Sequence, residues 1–257
     1  MGKIIAFSNQ KGGVGKTTTC VNLSAYLASK GKKCLLIDLD PQGNATSGLG
    51  FNKSEVKNSV YNVLIDEMPI KEAVLNTQIE NLDILPSHID LSGAEVELVY
   101  IKGREHVLKN AVETVRKEYD YILIDCPPSL GLLTINALTA SDKVIIPIQS
   151  EYYAMEGLSQ LINTIKLVGK HLNPNLKIDG VVLTMNDTRA IISRQIAGEI
   201  RKFFGKTVYE TVIPRNIRLA EAPSHGVPIM LHDTRCTGAR AYLALTEEFL
   251  ERQNKKK

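Results

Sequence analysis

Short runs of aliphatic and β-branched residues alternate along the chain with longer stretches whose apolar positions recur every three or four residues. The short runs predict strands at 3–8, 33–39, 82–85, 121–125, 143–148, 178–185 and 208–213. The longer ones predict helices at 17–29, 105–117, 130–140, 155–171, 192–204 and 239–252. Several strands are apolar at nearly every position, as suits strands covered on both faces of a parallel sheet. Strand then helix, repeated, predicts an α/β fold: three layers, doubly wound, with a mainly parallel sheet of about seven to eight strands between helices on both faces. Residues 51–77 are more polar and irregular and read as an insertion of short helices, while 253–257 read as a disordered tail. No repeat, proline-rich linker or low-complexity stretch divides the 257 residues, so a single domain spanning 1–257 is expected.

Charge changes this picture only locally. A net +3 is too little to make the whole surface attract a polyanion. From Asp187 onward, however, 13 Lys and Arg oppose 8 Asp and Glu, whereas before it 18 oppose 20. A basic patch, if there is one, belongs to the C-terminal third. The cysteines Cys20, Cys34, Cys126 and Cys236 have no CxxC spacing; two of them sit inside apolar runs and read as small core residues, and a reducing cytoplasm suits them best. With no N-terminal apolar signal and no run of 18 apolar residues, neither secretion nor a membrane span is expected.

The strongest chemical pattern is Gln10-Lys11-Gly12-Gly13-Val14-Gly15-Lys16-Thr17-Thr18, between the first strand and the first helix. Glycines let the backbone curl so that successive N–H groups meet an anion, and the helix N-terminus adds its partial positive charge there. The residues from Lys11 to Thr18 therefore read as a nucleotide phosphate loop, with Lys16 on the β- and γ-phosphates and the Thr17 hydroxyl on Mg²⁺. Lys11 is the departure from the general motif. A second lysine at the mouth of such a loop repels Lys16 unless a polyphosphate lies between them.

Two further strands end in carboxylates, at the edge where open α/β sheets bind ligands. The run 35–44 closes on Asp38 and Asp40, which strand alternation places on one side. Asp38 serves Mg²⁺ through water or braces the loop. The run 121–129 closes on Asp125, a Walker B pattern in which the carboxylate completes the magnesium sphere begun by Thr17. Cys126 beside it has no nearby histidine base and reads as packed.

The KGGVGKT loop, together with the segments 40–50, 125–138, 151–158 and 221–226, resembles the ParA/MinD family of deviant Walker A ATPases, closest to its chromosomal ParA (Soj) branch. The resemblance runs through nearly the entire chain. It implies a slow ATPase with ATP and Mg²⁺ as cofactors, Lys11 reaching across an ATP-dependent homodimer to the partner's nucleotide, and Asp40 orienting the attacking water. It further implies adenine contacts from Pro214, Asn216 and, less directly, Asn186, and non-specific DNA contacts from Arg189 and Arg218. Its expected partners are nucleoid DNA and a ParB-like centromere-binding protein that accelerates hydrolysis, with no membrane, which gives a cytoplasmic, nucleoid-associated protein. Other members offer different functions on this scaffold: a MinD-like membrane switch, an iron–sulfur reductase relative and an ATP-dependent ligase. The first needs a terminal helix with a free apolar face. Here Tyr242, Leu245 and Phe249 are expected to face the core instead.

Overall fold

The computed structural model describes residues 1–151, 154–187 and 190–255. One sheet organises them. Its strands are β1 (Lys3–Phe7), β2 (Cys34–Asp38), β3 (Leu75–Asn76), β4 (Leu82–Leu85), β5 (Tyr121–Asp125), β6 (Lys143–Gln149) and β7 (Lys177–Thr184). Their spatial order is β3-β4-β2-β5-β1-β6-β7, parallel throughout except for β3, a two-residue antiparallel edge on β4. The apolar strands are buried on both faces, as the sequence pattern predicts. Ile4, Ala6, Leu35, Ile37, Ile122 and Ile124 enter one core, while Ile5, Phe7, Cys34, Leu36, Tyr121 and Leu123 enter the other.

Helices cover each core. The Lys16–Ser29 and Thr237–Lys255 helices pack together over the second, through Cys20, Leu23 and Leu27 on one side and Tyr242, Leu245 and Phe249 on the other. The apolar stripe of the last described helix is thus consumed by the core, as expected. Over the first core lie Val107–Val115, Leu132–Ala140, Ala154–His171 and Ile191–Phe204. Within 51–77 the short helices Val60–Ile65 and Ile70–Ala73 form, but this segment also supplies β3. Ser59 opens the first with a capping box: its hydroxyl accepts from Tyr61 N, and the Asn62 side chain accepts from Ser59 N. Among the described residues no helix is long and apolar enough to cross a membrane.

Two expectations need correction. The segment 208–213 is not a strand: it runs beside β7 without a continuous ladder, bridged at Val181–Val208, with Tyr209 N and Ile213 N donating to Val181 O and Leu183 O. Between those two points the backbone turns aside, because Glu210 N and Thr211 N both donate to the Glu248 carboxylate at 2.8 Å. A side chain from the terminal helix thus takes the donors that a ladder would need. Gly180 opens the space alongside, where a Cβ would run into the Tyr209 ring.

The tail is the second correction. Residues 253–255 continue the helix, and Gln253 is buried. Its Oε1 accepts from Lys143 Nζ at 2.6 Å and its Nε2 donates to Asp179 at 3.1 Å. Asp179 also accepts from Lys143 and from the Tyr209 hydroxyl. Burial pushes the Asp179 carboxyl up, but these hydrogen bonds outweigh it and hold the group below the ordinary carboxylate range. A polar, charged-looking terminus hid this because its partners come from β6 and β7, more than 70 residues away. Gln253→Ala strips Asp179 and Lys143 of one partner each and is expected to cost about 1–3 kcal/mol in urea unfolding. A loss within about 0.5 kcal/mol would mean that the buried network does not depend on Gln253. Residues 256 and 257 lie outside the described residues.

Candidate active site

The strand order brings the three predicted motifs together. β5 lies between β1 and β2, and the parallel register sets Phe7 opposite Asp125 and Asp125 opposite Asp38. The phosphate loop that follows β1, the carboxylate that ends β5 and the carboxylate pair that ends β2 therefore emerge side by side at one sheet edge. That edge is the crevice of a doubly wound sheet.

Gly13 and Gly15 take left-handed backbone, φ 72° and 81°, where a side chain would be strained. Gly15 forms the N-cap of the Lys16–Ser29 helix, which no side chain caps. The first-turn amides are thereby left to an anion. Asn9 shapes the loop's entry, accepting from Lys11 N and donating to Pro147 O. Thr184, the last residue of β7, ties the loop from across the sheet: its hydroxyl donates to Val14 O at 2.8 Å. Lys16 is buried, and its Nζ donates to Lys11 O at 3.1 Å. Burial lowers its pKa, opposed by the nearby Asp125 and Asp40.

A cavity of about 540 Å³ opens over this loop, within the range of small-molecule sites. Gly12, Gly13, Gly15, Lys16, Thr17 and Thr18 form its floor, and Asp40 stands on its wall. Pro214 and Asn216 line the far side, beside Met185, whose φ of 46° is unusual for a side chain of its size. Val14 is buried beneath the loop and does not line the cavity. Asn186 does not line it either. Its Oδ1 accepts from Ser193 and its backbone N donates to Ile213 O, so it joins the β7 loop to the 208–214 segment. Asn216 has a second duty, capping Ile217–Glu221 through Leu219 N and donating to Thr237 Oγ1.

The carboxylates divide by environment. Both Asp125 oxygens are buried with no hydrogen-bond partner, the Thr17 hydroxyl lying nearby but outside hydrogen-bond geometry. Burial first, then the negative charge of Asp38, pushes Asp125 well above the carboxylate range, while Thr17 and Lys16 pull it back. An orphaned carboxylate between a phosphate loop and a second carboxylate is what a divalent cation would satisfy, so the donor set fits magnesium. Asp38 is also buried and pushed up to about 6, yet its oxygens are occupied: Oδ1 accepts from Asp40 N, and Oδ2 from Thr46 N and Thr46 Oγ1. Its bonds are those of a brace. Asp40 Oδ1 accepts from Gln42 N at 2.9 Å, so the same side chain forms the turn and faces the cavity. Burial and the adjacent Asp125 push the Cys126 thiol up, which disfavours the thiolate a nucleophile needs.

Two further predicted residues, Lys11 and Arg218, do not line the cavity either. Lys11 does not line its own cavity; its Nζ pairs with Glu151 at 2.8 Å, and Glu151 also accepts from Gln149. Arg218 is exposed on Ile217–Glu221, where it pairs with Glu221 at 2.8 Å and approaches Asp233 at 3.8 Å. Arg189 lies outside the described residues. Thr184, Thr46, Ser87, Glu151 and Tyr242, which lines the cavity and contacts Thr19 Oγ1, were not singled out from the sequence as site residues. Thr184 ends β7 and Glu151 lies two residues beyond β6, at the binding edge, a positional signal that could have found them.

Comparison with known proteins bears on the family and the fold. The family described as AAA domain matches residues 2–178. The chain is 61% identical to sporulation initiation inhibitor protein Soj of Bacillus subtilis, over 96% of this chain and 98% of that one. It is 53% identical to chromosome partitioning protein ParA of Myxococcus xanthus, over 100% and 90%. Its fold matches a crystal structure of cobyrinic acid a,c-diamide synthase from Mycobacterium smegmatis with bound ADP and magnesium: TM-score 0.88, 36% identity, covering 100% of this chain and 97% of that one. A near-complete match to Soj and ParA, on a sheet whose edge gathers the phosphate loop and its carboxylates, means that this chain belongs to the ParA/Soj family of chromosome-partitioning ATPases.

Proposed function

We propose that the protein is an ATP-driven dimerising switch that holds DNA without sequence preference in its ATP state and releases it on slow hydrolysis. The observation that carries this reading is Lys11, a phosphate-loop lysine that lies outside its own cavity and is partly exposed. Lys16 already serves the near side of the phosphates, so a second cation has its largest effect on the nucleotide of another copy. There it would offset charge that develops on the transferred phosphoryl group, as an arginine finger does. Leaving Glu151 costs little, since an exposed ion pair is worth about 0–1 kcal/mol.

Within one protomer the roles divide as follows. The loop amides and Lys16 bind the β- and γ-phosphates, Pro214 and Asn216 flank the base, and Asp40 orients the water that attacks. Thr17 and Asp125 would hold magnesium, directly and through water respectively. Bound magnesium would neutralise phosphate charge and fix the reacting group. Arg218, with Arg189, would neutralise DNA phosphates, and affinity should fall with salt at a log–log slope of about −0.9 per contact. Two copies double the patch, which is how weak contacts become retention. The family relationship supports a ParB-like partner that accelerates turnover.

Light scattering and DNA retention, measured with ATP, ADP and no nucleotide, test the reading. Dimer and DNA retention are expected with ATP alone, and Lys11→Ala should remain monomeric in all three. Persistence of a monomer saturated with magnesium ATP and blocked in hydrolysis would overturn the proposal.

A further inference from the structure

A closed ring of hydrogen bonds lies behind Asp40. Asp40 N donates to Asp38 Oδ1 at 3.3 Å, and Asp40 O accepts from Ser87 Oγ at 2.7 Å. Ser87 N donates to Thr46 Oγ1 at 2.9 Å, and that hydroxyl donates to Asp38 Oδ2 at 2.7 Å. Thr46 N adds a second bond to the same oxygen at 2.7 Å. Four residues thus bind each other through both main chain and side chain, and all are buried: Asp38, Thr46 and Ser87 at 0% exposure, Asp40 at 6%.

The ring joins three parts of the chain. Asp38 ends β2, Thr46 lies in the Asn44–Gly48 helix, and Ser87 is two residues beyond β4. Since β4 pairs with β2 in parallel, Ser87 arrives at the same sheet edge as the carboxylates. Asp40 lies in a loop outside any strand, so the sheet ladder does not fix it. Its N–H is held instead by Asp38, and its carbonyl by the turn amide Gly43 N at 2.9 Å together with Ser87, which is the tie that joins this turn to the end of β4. Each hydroxyl uses its single proton within the ring: Ser87 on Asp40 O, Thr46 on Asp38.

We infer that Ser87 is a positioning residue for hydrolysis, fixing the Asp40 backbone so that its carboxylate is held at the cavity wall. The inference rests on the proposed role of Asp40. Ser87 does not line the cavity, and its side chain and amide bond to Asp40 and Thr46, so it acts on the rate through Asp40 and leaves nucleotide binding alone. Small displacements of a positioning group suffice, because an error of about 1 Å can cost on the order of 100-fold in rate.

The test is Ser87→Ala in the full chain, with turnover under saturating magnesium ATP measured alongside nucleotide affinity. Turnover is expected to fall on the order of 10- to 100-fold while affinity stays within about twofold, a split in kcat alone. Ser87→Thr, which keeps the hydroxyl, should restore most of the rate. Parental turnover in Ser87→Ala, or an equal loss in Ser87→Thr, overturns the inference. So does a matching loss of nucleotide affinity, which would mark Ser87 as a residue of the fold. Should Ser87→Ala fail to fold, Ser87→Cys keeps the size with a weaker donor: an intermediate rate supports the inference and a parental one overturns it. Asp40→Ala, measured in parallel, separates the two levels. If it turns over normally, the reading of Asp40 itself is wrong; if it is inactive while Ser87→Ala is normal, only the role of Ser87 falls.

Discussion

Asp40→Ala is expected to bind magnesium ATP with near-parental affinity and to hydrolyse it at least about 100-fold more slowly, the usual contribution of a positioned acid–base group. The separation follows from where the contacts lie. In the proposed reading phosphate binding falls to the loop amides, to the uncapped start of the Lys16–Ser29 helix and to Lys16, whose Nζ is held by Lys11 O and not by the Asp40 side chain. Asp40 contributes one carboxylate to the cavity wall and one turn bond to Gln42 N. Its main-chain anchors to Asp38 and Ser87 survive the substitution. Phosphate release and nucleotide titration on the same preparation decide the matter. Retained turnover removes Asp40 from the chemistry, and lost binding makes it a structural turn.

Asp125→Asn should act in opposite directions on stability and on function. In the nucleotide-free protein Asp125 is a buried carboxylate without a hydrogen bond and beside the negative Asp38. Its folded pKa is raised, so the stability it contributes is complete below the ordinary carboxylate value and is lost as pH rises through the folded value. Asp38, pushed up to about 6 by burial, shares that sign. Replacing this buried, unpartnered carboxyl with a neutral amide should raise the melting temperature of the nucleotide-free protein, equivalent to a free energy on the order of 1–3 kcal/mol. Magnesium dependence should go the other way, with affinity for the magnesium nucleotide falling about 10- to 100-fold, as when an outer-shell ligand is lost. Calorimetric melting with and without magnesium ATP reads both effects. A variant that melts lower without nucleotide would mean that the buried charge is satisfied in some other way.

These two carboxylates also show why one part of the site could be read from the chain and another could not. Asp40 and Asp125 each end an apolar run and precede a turn, a local pattern that needs no partner to be recognised. Lys16 and Thr17 sit in a glycine pattern confined to nine residues. By contrast, Ser87 and Thr184 are isolated hydroxyls, and their partners lie 47 and 170 residues away. Asn186 and Asn216 follow strand-like runs in the same manner, yet only Asn216 lines the cavity, because Ser193 takes the Asn186 amide oxygen. The failed strand at 208–213 has the same origin: its residues have strand propensity, and a distant carboxylate, Glu248, claims its amides.

Taken alone, the order of apolar runs determined the layered α/β fold, and the short motifs at their ends determined where nucleotide chemistry would be found. Both are encoded within spans of about ten residues, where periodicity and backbone preference act directly. Only the tertiary structure decided which carboxylate is orphaned and which is braced, that Lys11 is held by Glu151 away from its own cavity, and that Gln253 closes a buried polar network. Those outcomes depend on strand order and on desolvation, which arise when distant segments are brought into contact and water is excluded between them.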